Sequence, residues 1–451
     1  MPLTVQTVNT SSALSGGNGP FNIGVLREAH PSDIAETLER SALSAPEIIE
    51  VLLEIGNHVA TATFEQLSME TQKACLETGT TATMLRFIEN LHPDDRVDLL
   101  KHVDTDISEA VMPLIAQAER NEIRRLWEYE EGTAGAVMTT EYALLPEDIS
   151  ARQALERLRL QAPNKETIYY VYITDAQRRL VGMLSLRDLI MAKPDTPLHR
   201  IMERHVISVP HDMDVEEVAG VISKYDFLAV PVVDGEARLL GIITVDDVID
   251  IIEAESTEDF HRISAVVPFE ESYFRRGFSR LFWNRFCWLA VLLVTSLLST
   301  TIMEWHADVL SQMVALAFFI PMVIGTCGNA GTQSATMVVR ALALGEVAPR
   351  DFFRVFRREL LMGLALGCAL GFMAYFRVFF QDHTIVLGWI VGTALLATLL
   401  TANLVGALIP LLLKKIGLDP ALTAGPFIAT VIDAAGIAIY FQIALTLTRV
   451  A

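Results

Sequence analysis

Cysteine is scarce in this chain of 451 residues: Cys75, Cys287, Cys327 and Cys368 are its four, none sits in a CxxC pair, and three lie in apolar stretches. They imply neither a disulfide framework nor a zinc site. Outside its apolar runs the sequence also lacks a nucleophile with a base partner, a His/Cys metal spacing and a phosphate-cradling glycine loop, which argues against an enzyme. Positive charge is in short supply too, with 35 Lys/Arg against 55 Asp/Glu. A surplus of that sign repels nucleic acid and anionic lipid and gathers divalent cations. Residues 1–23 are rich in Ser, Thr, Gly and Asn and have no basic n-region or apolar h-region. They read as a disordered tail and not a signal peptide, so the amino terminus is expected in the cytosol.

What is present is segregated. The chain is 51% hydrophobic despite its net charge of −20, an unusual pairing for one compact soluble domain, and its length calls for two or three domains. From residue 284 onward there are ten Lys/Arg and eight Asp/Glu, which leaves 25 and 47 before it. Residues 24–130 carry apolar side chains at helical spacing (Ile34, Leu38; Ile48, Leu52, Ile55) with start signals at Ser32-Asp33, Ser44 and Asp94, and so predict an all-α domain. Residues 131–253 repeat themselves: 180–190 (LVGMLSLRDLI) matches 240–249 (LGIITVDDVI), and Met138 with Pro146 matches Met202 with Pro210. Each copy reads strand, helix, strand, strand, helix. This resembles a tandem pair of CBS domains, an α+β frame whose cleft often holds an adenine nucleotide. Ser185 with Asp188 and Thr244 with Asp247 match its Ser/Thr-x-x-Asp turns, which elsewhere are more often helix caps.

Residues 284–451 hold five apolar runs, at about 286–303, 309–326, 360–380, 385–413 and 421–447, each long enough to cross the bilayer as a helix. Basic residues cluster before the first span (Arg275, Arg276, Arg280, Arg285), before the third (Arg350, Arg354, Arg357, Arg358) and between the fourth and fifth (Lys414, Lys415). By the positive-inside rule the preceding domains face the cytosol and the carboxyl terminus faces out. Asp433 is the acidic residue far from both ends of its span, where an unpaired carboxylate costs about 2.5 to 3.5 kcal/mol on insertion scales and normally faces a partner or a water-filled path. Gly425-Pro426 and Gly436 beside it are expected to loosen the helix and free carbonyls near Ala429 and Thr430. A second irregular segment is expected at 321–334, where Gly325, Gly328, Asn329, Gly331 and Gln333 interrupt an apolar hairpin; read alone, such glycines more often serve helix packing.

Three motifs, 131–141 (EGTAGAVMTTE), 328–333 (GNAGTQ) with 340–342 (RAL), and Asp419-Pro420 through Gly425-Pro426 to 429–433 (ATVID), make the chain similar to MgtE magnesium transporters over nearly its whole length. The resemblance implies a multidomain membrane protein: a helical amino-terminal domain, the CBS pair, a linker (plug) helix over 254–283 and a five-helix pore domain. It implies a homodimer in the cytoplasmic membrane, with Asp433, Ala429 and Asn329 lining the path of a hydrated Mg²⁺; Thr332 stands where the family has Asn as often. It further implies a cytosolic Mg²⁺ sensor drawn from Asp94, Asp95, Asp214, Glu216, Asp226, Asp247, Asp250, Glu255, Glu258 and Asp259, whose mutual repulsion the bound ions cancel. Tyr170, Arg187, Asp188, Phe227 and Pro231 match positions that hold ATP. Two other readings are a path for Mn²⁺, Co²⁺ or Ca²⁺, and a CBS sensor anchored in the membrane without transport. CBS-bearing exporters place their spans before the CBS pair, the reverse of the order here.

Overall fold

The computed structural model describes residues 23–41, 43–264, 266–267, 277–382, 385–420 and 425–450. The expected tail at 1–23, save Ile23, and Arg275 and Arg276 lie outside them. Described residues up to Glu253 form one compact unit and those from Ala254 a second.

The first unit opens with short helices, from α1 (Ile23–Leu26) through α9 (Gln117–Trp127). Their boundaries follow from local chemistry. In α3 (Ala45–Ile55) the Ser44 N–H and hydroxyl both donate to Glu47, closing a capping box, and Ile48, Leu52 and Ile55 are buried on one stripe. In α2 (Pro31–Arg40) and α7 (Pro93–His102) a proline takes the first helical position, so the cap falls on His30 and His92, a residue or two before the expected starts. The stacked rings of Phe64 and Phe87, 4.5 Å apart, sit in the shared core.

After α10 (Ala134–Val137) come two copies of one motif: β1 (Tyr142–Pro146), α11 (Ala151–Gln161), β2 (Thr167–Thr174), β3 (Leu180–Ser185), α12 (Leu186–Met191), then β4 (Val209–Pro210), α13 (Val215–Tyr225), β5 (Ala229–Val233), β6 (Leu239–Thr244), α14 (Val245–Ile263). Each sheet pairs its first two strands in parallel and its last two antiparallel. The copies exchange their lead-in segments: Thr139, ahead of the first, bridges Ile242 of the second, while Glu203, ahead of the second, bridges Met183 of the first. This explains the repeated Met and Gly. A side chain on Gly182 would strike Met202, and one on Gly241 would strike Met138 and the Thr139 carbonyl. α14 crosses the expected domain boundary at 253/254 as one helix.

In the second unit, among the described residues, five helical segments are long and apolar enough to cross a membrane: Phe278–Trp305, Val314–Ala343, Pro349–Phe380, Ile385–Lys415 and Pro426–Thr448. Their helices are α15 (Phe278–Trp305), α17 (Ile320–Ala343), α18 (Phe352–Asp382), α19 (Ile385–Lys415) and α20 (Pro426–Val450), with the short α16 (Ala307–Gln312) between the first two. α19 is central and buries Ile390, Ala394, Leu399, Ala402 and Ala407. Two expectations are corrected. The glycine-rich segment 321–334 is not irregular; it lies inside the continuous α17. α20 begins at Pro426 and runs unbroken through Gly436, so the helix is not loosened near Ala429 and Thr430. Glycine serves close approach here: Gly406 packs on the Gly331 backbone, and Gly331 on Ile432.

The same close approach distinguishes glycines in the soluble unit. A methyl on Gly241 would lie 2.7 Å from the Thr139 carbonyl oxygen, whereas one on Gly220, within α13, meets nothing within 4 Å. Gly241→Ala is expected to destabilise the CBS pair by about 1–3 kcal/mol through overpacking, and Gly220→Ala to stabilise it by up to about 1 kcal/mol. Thermal melting of the two variants checks the difference, and equal melting temperatures would contradict it.

Candidate functional site

α7 presents Asp94, Asp95 and Asp98 from its first turns because Pro93 starts the helix there, and α14 presents Asp247 and Asp250 one turn apart. The two faces meet at a cavity of about 300 Å³ lined by these five carboxylates, Lys101 and the residues around Gly132 and Ala136. Asp94 is 8% exposed, and its Oδ1, like Glu166 Oε2, is buried with no hydrogen-bond partner among the described residues. Burial, then the charges of Asp95, Asp247 and Glu166, push the Asp94 carboxyl well above the usual carboxylate range. Burial first, then Glu65 and Asp247, raise Asp95 to about 7. Burial and then Asp247 raise Glu166 to about 7. Asp98, Asp247 and Asp250 are raised chiefly by burial as well. Among the described residues no His/Cys/Asp/Glu cluster forms a ready coordination shell. The arrangement is that of acidic walls that a hydrated cation would hold together.

One local cation already offsets part of this charge. His92, the N-cap of α7, lies 3.1 Å from Glu141 and 3.5 Å from Glu65. The Glu141 hydrogen bond, assisted by the charges of Glu65 and Glu166, raises it to about 10 despite burial. Glu65, His92, Glu141 and Glu166 are members of the site that sequence reasoning missed. Glu141 lay inside a motif singled out on other grounds; nothing local marks Glu65 or Glu166, which meet Asp95 and Asp247 only in three dimensions.

Other sensor candidates sit elsewhere. Asp214 caps α13 by accepting the Glu216 N–H at 2.8 Å, and Asp226 ends that helix in the left-handed region (φ 54°); all three are exposed. In the second unit, Glu255 is exposed, Asp259 is half-buried and raised by burial and then by Asp419, and Arg262 donates to both Glu258 and Asp419. Ile263, at the end of α14, packs on Val339 of α17 and against Gly425. Of the nucleotide candidates, the rings of Tyr170 and Phe227 stand edge to face 6.4 Å apart. Ser185 caps α12 by accepting the Asp188 N–H at 3.0 Å and donates its hydroxyl to the Asp188 carboxylate at 2.6 Å, Arg187 is exposed beside it, and Pro231 is buried in β5.

In the membrane-spanning unit, α17 meets α20 at Gly328. A side chain there would lie 3.1 Å from Asp433 Oδ1 and 3.8 Å from Ala429 Cβ. Asp433 is half-buried and makes no hydrogen bond or ion pair among the described residues, while Asn329 is exposed on the adjacent face of α17. The missing Cβ lets the two helices close on that carboxylate without displacing it.

Comparison with known proteins bears on the whole chain. Residues 320–443 match the family model described as a divalent cation transporter, MgtE. Residues 29–132 match the MgtE intracellular N domain, and 134–195 and 198–254 match CBS domains. The magnesium transporter MgtE of Thermus thermophilus is 39% identical over 440 residues, 97% of each chain. That of Enterococcus faecalis is 41% identical over 331 residues, covering 73% of this chain and 72% of its own. The crystal structure of the cytosolic domain of the Mg²⁺ channel MgtE in complex with ATP is 39% identical, covers 51% of this chain and 93% of that one, and superposes with a TM-score of 0.49.

The cavity makes a signed pH prediction. Asp95 and Glu166 reach about 7 in the assembled cleft, above an unburied carboxylate's value near 4. Assembly therefore takes up protons: it gains as pH falls through about 7 and loses that gain as pH rises. His92, raised to about 10, acts in the same direction, since its contribution declines from about 6.5 upward. With divalent cations chelated, protection of α7 and α14 from amide exchange should increase from pH 8 to pH 6, and Asp95→Asn with Glu166→Gln should flatten the dependence. An unchanged profile in the parent would show that these carboxylates stay hydrated.

Proposed function

The chain belongs to the MgtE family of divalent cation transporters, and from that premise we propose that it conducts Mg²⁺ across the cytoplasmic membrane through a path at Asp433. The observation that carries this reading is the Asp433 carboxylate, which makes no hydrogen bond or ion pair among the described residues and is seated where Gly328 leaves room. A carboxylate at that depth needs either a partner or a hydrated cation. Mg²⁺ gives up its water reluctantly and holds six oxygens in octahedral order, so carboxylates touching its water shell recognise it without stripping it. In a homodimer with the path on the two-fold axis, Asp433 of each subunit contributes one charge, and Ala429 and Asn329 supply the neighbouring wall.

The cavity between α7 and α14 is read as the cytosolic sensor. Two buried carboxylate oxygens without hydrogen-bond partners among the described residues, Asp94 Oδ1 and Glu166 Oε2, fit a divalent cation, which would be held from Asp94, Asp95, Asp247 and Asp250. Bound Mg²⁺ would cancel the repulsion that otherwise drives the acidic faces apart. The end of α14 is read as the plug: Arg262 joins it to Asp419 and Ile263 to Val339, beside the end of the pore helix. Glu255, Glu258 and Asp259 extend the acidic run, and Asp214, Glu216 and Asp226 offer carboxylates on the CBS surface. The edge-to-face pair Tyr170 and Phe227, with Asp188 and Arg187 nearby in sequence order to Ser185, supports an ATP site that tunes closure. The amino-terminal domains face the cytosol in this scheme and the carboxyl terminus faces out.

Asp433→Asn in the full-length chain should lower Mg²⁺ flux into liposomes by more than about tenfold, while elution volume and helix content stay those of the parent. Flux at the parental rate would remove Asp433 from the path. Co²⁺ or Ca²⁺ carried faster than Mg²⁺ by the parent would change the substrate assignment.

A further inference from the structure

The third span carries another carboxylate. Glu359 lies in α18, and three glycines follow it at four-residue intervals, Gly363, Gly367 and Gly371. A Cβ on Gly363 would lie 3.0 Å from Leu400 Cα, one on Gly367 3.0 Å from Leu396 Cα, and one on Gly371 2.6 Å from the Gly392 carbonyl oxygen. That spacing keeps one helix face against α19, and Glu359 stands one turn earlier on the same face. There it accepts a hydrogen bond from Ser334 Oγ of α17 at 2.8 Å. Ser334 is 5% exposed, and its hydroxyl also lies 3.1 Å from the Asn403 carbonyl oxygen of α19. Three helices thus converge on one hydroxyl. Ser334, Gly331 and Gly328 follow one another at three-residue spacing along α17, and a Cβ on Gly331 would strike Ile432 while one on Gly328 would crowd Asp433.

We propose that Glu359 is a positioning residue for permeation: through Ser334 it clamps α17 onto α19 and so sets the spacing between Gly328 and Asp433, without itself meeting the ion. The proposal rests on Asp433 as the ion's carboxylate. Its geometry is independent of that reading, because the clamp is a contact between helices behind the Gly328 wall. A carboxamide can replace Glu359 in it, since either amide atom can meet the Ser334 hydroxyl.

The test uses the full-length protein in liposomes, with Glu359→Gln, Glu359→Ala, Ser334→Ala and the Glu359→Ala/Ser334→Ala pair, reading amide exchange over residues 326–336, Mg²⁺ flux and the Mg²⁺-to-Ca²⁺ flux ratio. Glu359→Gln should stay within about twofold of the parent in flux, whereas Glu359→Ala and Ser334→Ala should each lower flux by about tenfold, lower the ratio and speed exchange. The pair should be no worse than the worse single variant, as for residues acting through one contact. If Glu359→Ala does not reconstitute, Ser334→Ala carries the same expectation. Loss of flux in Glu359→Gln equal to that in Ser334→Ala would overturn the proposal and make the charge itself the requirement. Unchanged exchange in Ser334→Ala would overturn it as well. Because exchange over 326–336 does not depend on which residue meets the ion, it judges the clamp even if Asp433→Asn leaves flux intact.

Discussion

Carboxylates brought together where water is scarce repel one another, and most of what this chain does follows from how it handles that repulsion. Two like charges about 6 Å apart at an effective dielectric of about 20 oppose each other by about 3 kcal/mol. α7 and α14 present five carboxylates to one cavity, with Glu65 and Glu166 close behind, and His92 is the histidine that answers them from within the chain. Burial first, and then the neighbouring carboxylates, raise Asp95 and Glu166. A protein that wanted only a rigid joint there would pair these groups or replace them with apolar ones. In the proposed function, retaining them makes the joint responsive to a cation, and that cation is the transported ion.

The membrane unit meets the same constraint with other means. Asp433 cannot be hydrated by lipid, and α17 answers with Gly328, whose missing side chain leaves room beside the carboxylate. Close helix packing then has to be secured elsewhere. Gly331 and Gly406 bring α17 onto α19, and the stripe from Gly363 to Gly371 brings α18 onto α19. Glycine here trades side-chain contacts for backbone approach, and the polar clamp at Ser334 adds a fixed point that apolar packing alone does not supply.

Much of this was legible in the sequence because it is periodic or repeated. The CBS duplication shows in Gly182 and Gly241 recurring with Met138 and Met202, and the structure gives the reason: each methionine fills the space its paired glycine leaves. The spans show in their length, and Asp433 in its isolation. Three-dimensional neighbours were not legible. Glu65, Glu141 and Glu166 gather around His92 from three separate segments, and no spacing rule links them. The segment 321–334 is helical where irregular backbone is expected because glycine in an apolar run has two physical uses, breaking a helix and bringing it close to another, and sequence alone does not tell which partner waits across the gap. Glu359 went unnoticed since it stands beside Arg357 and Arg358 and looks like the end of a charged loop, whereas α18 begins at Phe352 and carries it inward.

The central claim, that cations in an acidic cytosolic cleft govern a path at Asp433, is tested most directly by Mg²⁺ flux through the full-length protein in liposomes as a function of free Mg²⁺ on the side of the soluble unit. Flux should fall as this concentration rises through the millimolar range, at a fixed driving gradient, and should cease to fall when Asp94, Asp95, Asp247 and Asp250 are converted together to their amides. Flux that ignores Mg²⁺ on that side in the parent protein, or that is shut off equally well in the amide variant, would contradict it.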